Sequence, residues 1–336
     1  MPAEGPGRPF TPFPLPPPTL ADVYAARRAL AGRVSPTPLV RFPALCRALG
    51  CEAYVKLENL QPIGVFKVRG GLYLMSRLGA AERAAGVITA STGNHGQSVA
   101  YAAREYGIRA IVAVPREANP LKVGAIRAFG AEVVPIGRDF DEAREWAEAE
   151  AGAKGYRYVH PANEPDIVAG VGTISLEILE ALPQVEAILV PVGGGSCLAG
   201  QAVVAKSLKP TVRLIGVQAE GAPAVTLSWR ARRVIETPAA DTFAEGLQTR
   251  VPFLFTLGLI LQHADEMVLV SDAEIRQAML LLLETARQVA EGAGAAPVAA
   301  ALRLRERLAG KTVCLVLSGG NVALDALRHL LCDGAP

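Results

Sequence analysis

The sequence of 336 residues has few aromatic residues and no excess charge of either sign. Phe, Trp and Tyr make up 5% of it, and 34 basic residues nearly cancel 32 acidic ones, for a net charge of +2. Without a basic excess, we do not expect binding to a nucleic-acid backbone. The chain also lacks any run of about 20 apolar residues, so no membrane span is expected.

Cysteine is scarce as well. The five cysteines are Cys46, Cys51, Cys197, Cys314 and Cys332, and none stands in a CxxC pair or a Cys/His spacing typical of zinc sites. A disulfide framework is therefore not expected, no metal site is predicted, and the sequence favours a reducing, cytoplasmic location.

The beginning of the chain is rich in proline. Eight of the first 20 residues are prolines, and no apolar stretch typical of a secretory signal is present. Proline fixes φ and removes a hydrogen-bond donor. Residues 1–19 are therefore predicted to form an extended arm.

From residue 20 onward, short apolar segments alternate with helical patterns. The patterns predict strands over 53–58, 87–90, 110–114, 132–135, 187–192, 212–218 and 312–317. They predict helices over 21–30, 97–106, 119–129, 139–151, 173–182, 199–206 and 272–288, and one after Asn321.

This alternation predicts an α/β fold with two open, mostly parallel sheets and helices on both faces. We expect a large domain formed by residues 20–75 and 155–336, with a smaller domain of residues 76–154 inserted into it. A chain of this length is typical of two such units.

Three of the predicted strands run into turns rich in serine, glycine and asparagine, at 91–97, 193–196 and 318–321. In open α/β sheets, ligands bind beyond the carboxyl ends of strands, where such turns lie. Glycines allow close approach of the backbone, and the next helix presents free N–H groups, so 193–196 is predicted to bind an anion such as phosphate. No Gly-Lys-Ser/Thr follows and the GxGxxG spacing fails, which disfavours a nucleotide- or NAD-binding protein without catalytic activity, an alternative of another class.

Lys67 is one of only seven lysines and has apolar neighbours on both sides. A lysine on the surface is the ordinary interpretation of a single such residue. A desolvated lysine, however, loses its proton more easily and can attack a carbonyl to form a Schiff base. A lysine of this kind together with a phosphate-binding turn is what pyridoxal phosphate requires.

These features belong to a longer series of motifs at 37–39, 56–62, 66–70, 91–97, 191–195, 291–296 and 317–321. In this order they resemble the fold type II pyridoxal-phosphate enzymes, the tryptophan synthase β-subunit family, in the serine/threonine dehydratase group. The resemblance covers roughly residues 35–330.

The resemblance implies a role for each matching residue. Lys67 would carry the cofactor covalently, and the other cofactor-binding residues would be Phe66, Asn94 at the ring hydroxyl, Gly193, Gly194, Gly195 and Ser196 at the phosphate, and Ser318 at the ring nitrogen. Ser91, Thr92, Gly93 and His95 would surround the substrate carboxylate. Glu291 is placed near the site by the resemblance, and its role is left open.

The resemblance also implies an activity, the β-elimination of water from L-threonine, and from L-serine, to give a 2-oxo acid and ammonia. Alternatives are a dehydratase for another β-hydroxy amino acid, such as 3-hydroxyaspartate or phenylserine, or a serine racemase. Racemisation is disfavoured because Thr92 stands where serine racemase has a serine base. Gln218 replaces a glutamate that helps bind a divalent ion in serine racemase, which disfavours that metal site.

The resemblance further suggests a homo-oligomer, either a dimer or a tetramer. Because the sequence ends one helix after Ser318, neither an appended regulatory domain nor feedback control by isoleucine through one is expected.

Overall fold

The computed structural model describes residues 14–91, 93–118 and 120–333. The first 13 residues of the predicted proline-rich arm lie outside this range. Residues 14–17 are exposed and lie outside helices and strands. Thr19 then begins the first helix as its N-cap, with a capping box to Asp22.

Strands and helices alternate along the chain. The strands are β1 (Leu39–Arg41), β2 (Glu52–Leu57), β3 (Val87–Ala90), β4 (Ala110–Val114), β5 (Glu132–Pro135), β6 (Arg157–Tyr158), β7 (Ala187–Pro191), β8 (Arg213–Ala219), β9 (Glu266–Val270) and β10 (Thr312–Leu317). Helices α1 to α7 are Leu20–Leu30, Pro43–Leu49, Lys67–Arg77, Ala80–Ala85, Asn94–Glu105, Pro120–Ala128 and Phe140–Lys154. Helices α8 to α15 are Pro165–Ala181, Ser196–Leu208, Ala224–Ala231, Leu254–His263, Asp272–Ala286, Gly292–Arg303, Arg305–Leu308 and Leu324–Asp333. Two 3₁₀ helices span Glu58–Leu60 and Glu245–Leu247.

The strands form two sheets. The larger has the order β1-β2-β10-β7-β8-β9, and all of its pairs except β1–β2 are parallel. The smaller has the order β5-β4-β3-β6 and is wholly parallel. The predicted α/β fold class is confirmed.

Helices cover both faces of these sheets. Every residue of β3, β4 and β7 is buried, as expected of parallel strands with helices on each side. The smaller sheet takes in β6 at Arg157–Tyr158, just beyond residue 154, and the domain boundaries stay a prediction. Among the described residues, no helix is both long and apolar enough to cross a membrane.

Candidate active site

The three turns that the sequence analysis singled out meet in one place. Two of them follow β7 and β10, which are parallel neighbours in the larger sheet and therefore end at the same edge. The third follows β3 of the smaller sheet. Asn94 of this turn accepts a hydrogen bond from Asn321 Nδ2 at 2.8 Å, which joins it to the turn after β10.

Lys67 is the first residue of α3 and is half-buried beside the ring of Phe66, 5.2 Å from Nζ to the ring centroid. Burial lowers the pKa of Lys67, against the opposing effects of Cys197 and Glu291. Nζ makes no hydrogen bond or ion pair with any described residue. The chain therefore holds a free amine that loses its proton more easily than an ordinary lysine.

The segment that carries Lys67 is fastened to the turn after β10. Phe66 N donates to Ser318 O at 2.9 Å, and Val65 forms an antiparallel bridge with Gly319. The side chain of Ser318 is buried, yet its hydroxyl has no partner among the described residues. A neutral hydroxyl near the lysine is thus available to a ligand.

The glycine-rich turn after β7 leads into α9, which begins at Ser196. Gly195 has φ of +91°, in the left-handed region that glycine tolerates best. A Cβ on Gly193 would overlap the carbonyl oxygen of Gly246, so the turn packs too closely for any side chain there. The N–H groups of residues 193–196 donate to no described acceptor, which makes this turn and the start of α9 a suitable anion site.

Asn94, predicted to bind the cofactor, begins α5 and is already hydrogen-bonded. Its Nδ2 donates to both carboxylate oxygens of Glu291, at 2.9 and 3.0 Å. Asn321, which donates to Asn94, also donates to Ile63 O at 2.9 Å. Asn94 is therefore held in place by residues distant in sequence.

Glu291 is the residue whose importance the sequence analysis left open. Burial raises its pKa to about 7, while the bond from Asn94 and the charge of Lys67 act in the opposite direction. Its carboxylate lies against the backbone of Gly319 and Gly246. The sequence signal was the Gly/Ala-rich segment 291–296, which does not reveal a contact with residue 94.

The predicted carboxylate-binding residues lie around the start of α5. Ser91 Oγ accepts from Gly93 N at 3.2 Å, and Thr92 lies outside the described residues. The ring of His95 is buried with Nε2 3.1 Å from Thr89 Oγ1 and 3.2 Å from Val159 O. Burial, with a smaller effect of Lys67, lowers the pKa of His95 to about 3, so the ring is neutral.

His95 therefore cannot offer a positive charge to a carboxylate. The part of His95 that can bind an anion is its backbone N–H group, which lies in the first turn of α5. At this end of a helix, an anion is stabilised by free donors and by the helix dipole.

The free groups fit pyridoxal phosphate. An amine suits its aldehyde, the N–H groups of 193–196 suit its phosphate, and the Ser318 hydroxyl suits its ring nitrogen. Among the described residues, no group of three or more His, Cys, Asp or Glu could hold a metal ion. Gln218 was considered above as the replacement for a metal-binding glutamate. Its Oε1 accepts hydrogen bonds from both N and Oγ1 of Thr226, at 2.9 Å each.

Comparison with known proteins gives concordant results. A family profile described as "Pyridoxal-phosphate dependent enzyme" matches residues 30–319. The L-threonine ammonia-lyase of Thermotoga maritima is 43% identical over 316 residues, which cover 94% of this chain and 79% of that protein.

Solved structures are similar over nearly the whole chain. The T.th. threonine deaminase has a TM-score of 0.87 and 38% identity, over 91% of this chain and 99% of that one. Maize serine racemase has a TM-score of 0.89 and 28% identity, over 94% of this chain and 98% of that one.

Proposed function

This chain belongs to the family of pyridoxal-phosphate dependent enzymes, and we propose that within the family it is an L-threonine ammonia-lyase that also accepts L-serine. The observation that carries the proposal is Lys67, a half-buried amine with a lowered pKa whose Nζ makes no hydrogen bond or ion pair with the described residues. The similarity to an L-threonine ammonia-lyase at 43% identity supports this choice of substrate.

Family membership confirms the predicted cofactor. We assign its binding to Lys67, Phe66, Asn94, Ser318 and the turn formed by residues 193–196. When bound, pyridoxal phosphate withdraws electrons from the substrate Cα and so makes its proton removable. Ser318 offers a neutral hydroxyl and no carboxylate, so it does not hold a proton on the ring nitrogen; this favours elimination over transamination.

Lys67 is the group best suited to take the Cα proton, because its lowered pKa leaves more of the free amine at neutral pH. The N–H groups at the start of α5 would orient the substrate carboxylate. Glu291, with a pKa of about 7, can take up or release a proton near neutral pH, and its carboxylate accepts the hydrogen bonds from Asn94 Nδ2.

The overall reaction balances without a further reactant. The Cα–H and Cβ–O bonds of threonine break, a carbon–carbon double bond forms, and the hydroxyl leaves with one proton as water. The released enamine then consumes one water to give 2-oxobutanoate and ammonia. Serine would give pyruvate in the same way.

A substrate panel tests this proposal. We expect kcat/KM to be highest for L-threonine, with L-serine next, measured by 2-oxo acid formation. Lys67→Ala should lose the activity, whereas Lys209→Ala, a surface lysine whose Nζ donates to Pro183 O, should keep it. An inert L-threonine beside a rapid reaction of 3-hydroxyaspartate or phenylserine, or interconversion of L- and D-serine, would replace this proposal with the corresponding alternative.

We further propose that the enzyme works in the cytoplasm as a homo-oligomer. All five cysteines are free thiols, which suits a reducing compartment. Leu60, Leu324 and Leu331 are exposed apolar side chains of the kind that subunit contacts cover.

A further inference from the structure

Four charged side chains with little exposure lie near the first turn of α3 and form what we call the ionic cluster: Lys56, Glu58, Arg69 and Glu177. Their side chains are 1%, 0%, 2% and 13% exposed. Two positive and two negative charges balance. The proposed reaction uses none of them.

Arg69 is the centre of the cluster. Its Nε and Nη2 each donate to one oxygen of Glu58 at 2.8 Å, and its Nη1 and Nη2 donate to Glu177 at 2.5 and 2.8 Å. Nη1 also reaches Thr173 Oγ1 at 3.1 Å. Lys56 Nζ completes the cluster with Glu177 Oε2 at 2.5 Å. A lysine could not make this set of hydrogen bonds, because it lacks the planar guanidinium group.

The contacts of Arg69 join three elements at the first turn of α3. Glu58 lies in the 3₁₀ helix after β2, Arg69 in α3, and Glu177 in α8. A Cβ on Gly70 would lie 2.8 Å from Ile167 Cγ2, and one on Gly170 would lie 2.6 Å from Arg69 O, so the backbones of α3 and α8 touch here. The turn that carries Lys67 therefore cannot shift without breaking the cluster.

Stability alone does not account for these charges. Desolvation of buried ions is costly, and well-packed apolar side chains of similar size often stabilise a protein as much or more. Apolar side chains, however, cannot fix the relative orientation of two elements, since apolar contacts are not directional.

We propose that Arg69 is a positioning residue, which, through Glu58 and Glu177, fixes the first turn of α3 so that Lys67 Nζ points at the reacting carbon. The inference rests on the proposed role of Lys67. A displacement of the amine by about 1 Å is enough to reduce the rate by about 100-fold.

The test compares Arg69→Lys with Arg83→Lys. Arg83 binds the opposite end of α3, donating to the carbonyl oxygens of Met75, Ser76 and Leu78, so its replacement controls for general loosening of the helix. The first readout is the pH dependence of Lys67 labelling by acetic anhydride in the full chain freed of cofactor, followed by peptide mass spectrometry. The second is kcat and KM for L-threonine.

We expect Arg69→Lys to raise the midpoint of the labelling profile by about one pH unit, because the amine becomes more hydrated. We expect kcat to fall about 10- to 100-fold while KM changes little. Arg83→Lys weakens hydrogen bonds at the opposite end of α3 but should leave both readouts at the wild-type values. Equal profiles in wild type, Arg69→Lys and Arg83→Lys would overturn the inference.

Should Arg69→Lys not fold, Thr173→Val removes the hydrogen bond from Arg69 Nη1, together with the bond that Thr173 Oγ1 donates to Gly170 O within α8, at nearly constant volume. It should shift the labelling midpoint in the same direction by a smaller amount, and an unchanged midpoint would overturn the inference. If the wild-type chain makes no 2-oxo acid while the labelling midpoint still moves in Arg69→Lys alone, the proposed function fails and the positioning role stands.

Discussion

At the scale of single residues, Glu291 is a buried carboxyl group of the site whose pKa is raised. Its pKa is about 7 in the folded chain, against an ordinary value of 4.5. Between these pH values the folded chain keeps a proton that the unfolded chain has released. Folding is therefore stabilised by this group below about pH 4.5, and the contribution is lost as the pH rises through 7.

We predict that Glu291→Gln removes this loss of folding stability at rising pH. In the cofactor-free chain, the difference in unfolding free energy between variant and wild type should grow in favour of the variant from pH 5 to pH 8, by up to about 3 kcal/mol. Urea unfolding at the two pH values measures it. A constant difference for Glu291→Gln would refute the raised pKa.

A second prediction concerns the anion-binding turn. Gly193→Ala places a methyl group where Gly246 O lies, so the turn must move and its N–H groups lose their direction. We expect the affinity for pyridoxal phosphate to fall at least about tenfold, because one or two charge-assisted hydrogen bonds are weakened. Equilibrium dialysis of wild type and variant measures the change, and equal affinities would rule out phosphate binding by this turn.

Some of these residues could be identified from sequence and some could not. Lys67 and the turn at 193–196 carry local signals, namely apolar neighbours and consecutive glycines. The contact between Asn94 and Glu291 joins residues 197 positions apart, and no local pattern encodes it. His95 was predicted as a substrate-binding residue from its place in a motif, whereas its ring direction depends on Thr89 and Val159.

At the scale of elements, the helices that begin at the site were predicted too short. Helix α5 begins at Asn94 and α9 at Ser196, three residues before the predicted starts at 97 and 199. Glycine, serine and asparagine have low helix propensity, so their pattern indicates a loop. They form helix because the rest of the helix packs on the sheet, which leaves free N–H groups facing the site.

The sequence pattern predicts no helix over Gly70 and Gly71, yet both residues lie within α3. Close contact with α8 favours glycine here despite its low helix propensity. We predict that Gly70→Ala destabilises the protein by about 1–3 kcal/mol because its methyl group meets Ile167.

Gly152→Ala in α7 is the matched control for this prediction. A Cβ there meets no atom within 4 Å, so the substitution should stabilise the protein by about 0.5–1 kcal/mol through helix propensity alone. Urea unfolding of both variants gives the two values. Stabilisation by Gly70→Ala would contradict the contact between α3 and α8.

At the scale of the whole molecule, the alternation of strands and helices predicts the α/β class and seven of the strands to within about one residue. It does not predict strand order. In the larger sheet β10 lies between β2 and β7, and this order brings the Ser318 turn beside the glycine-rich turn. Such pairings join distant parts of the chain, so no local sequence pattern predicts them. In the sequence, only the resemblance to a family places the motifs in one site.

The smaller sheet contributes one wall of the site and is joined to the larger one by polar contacts. Asn94 bonds Glu291 and Asn321, and Lys122 of α6 forms an ion pair with Glu245. Exposed ion pairs such as the second contribute about 0–1 kcal/mol, so the half-buried contact between Asn94 and Glu291 is the stronger link.

The most direct test of the account is to find which lysine holds the cofactor. The full chain with bound pyridoxal phosphate is reduced with borohydride, digested and analysed by peptide mass spectrometry. We predict the added mass of the reduced cofactor on the peptide containing Lys67, and no labelling in Lys67→Ala. The same mass found on Lys56 or another lysine would contradict the account.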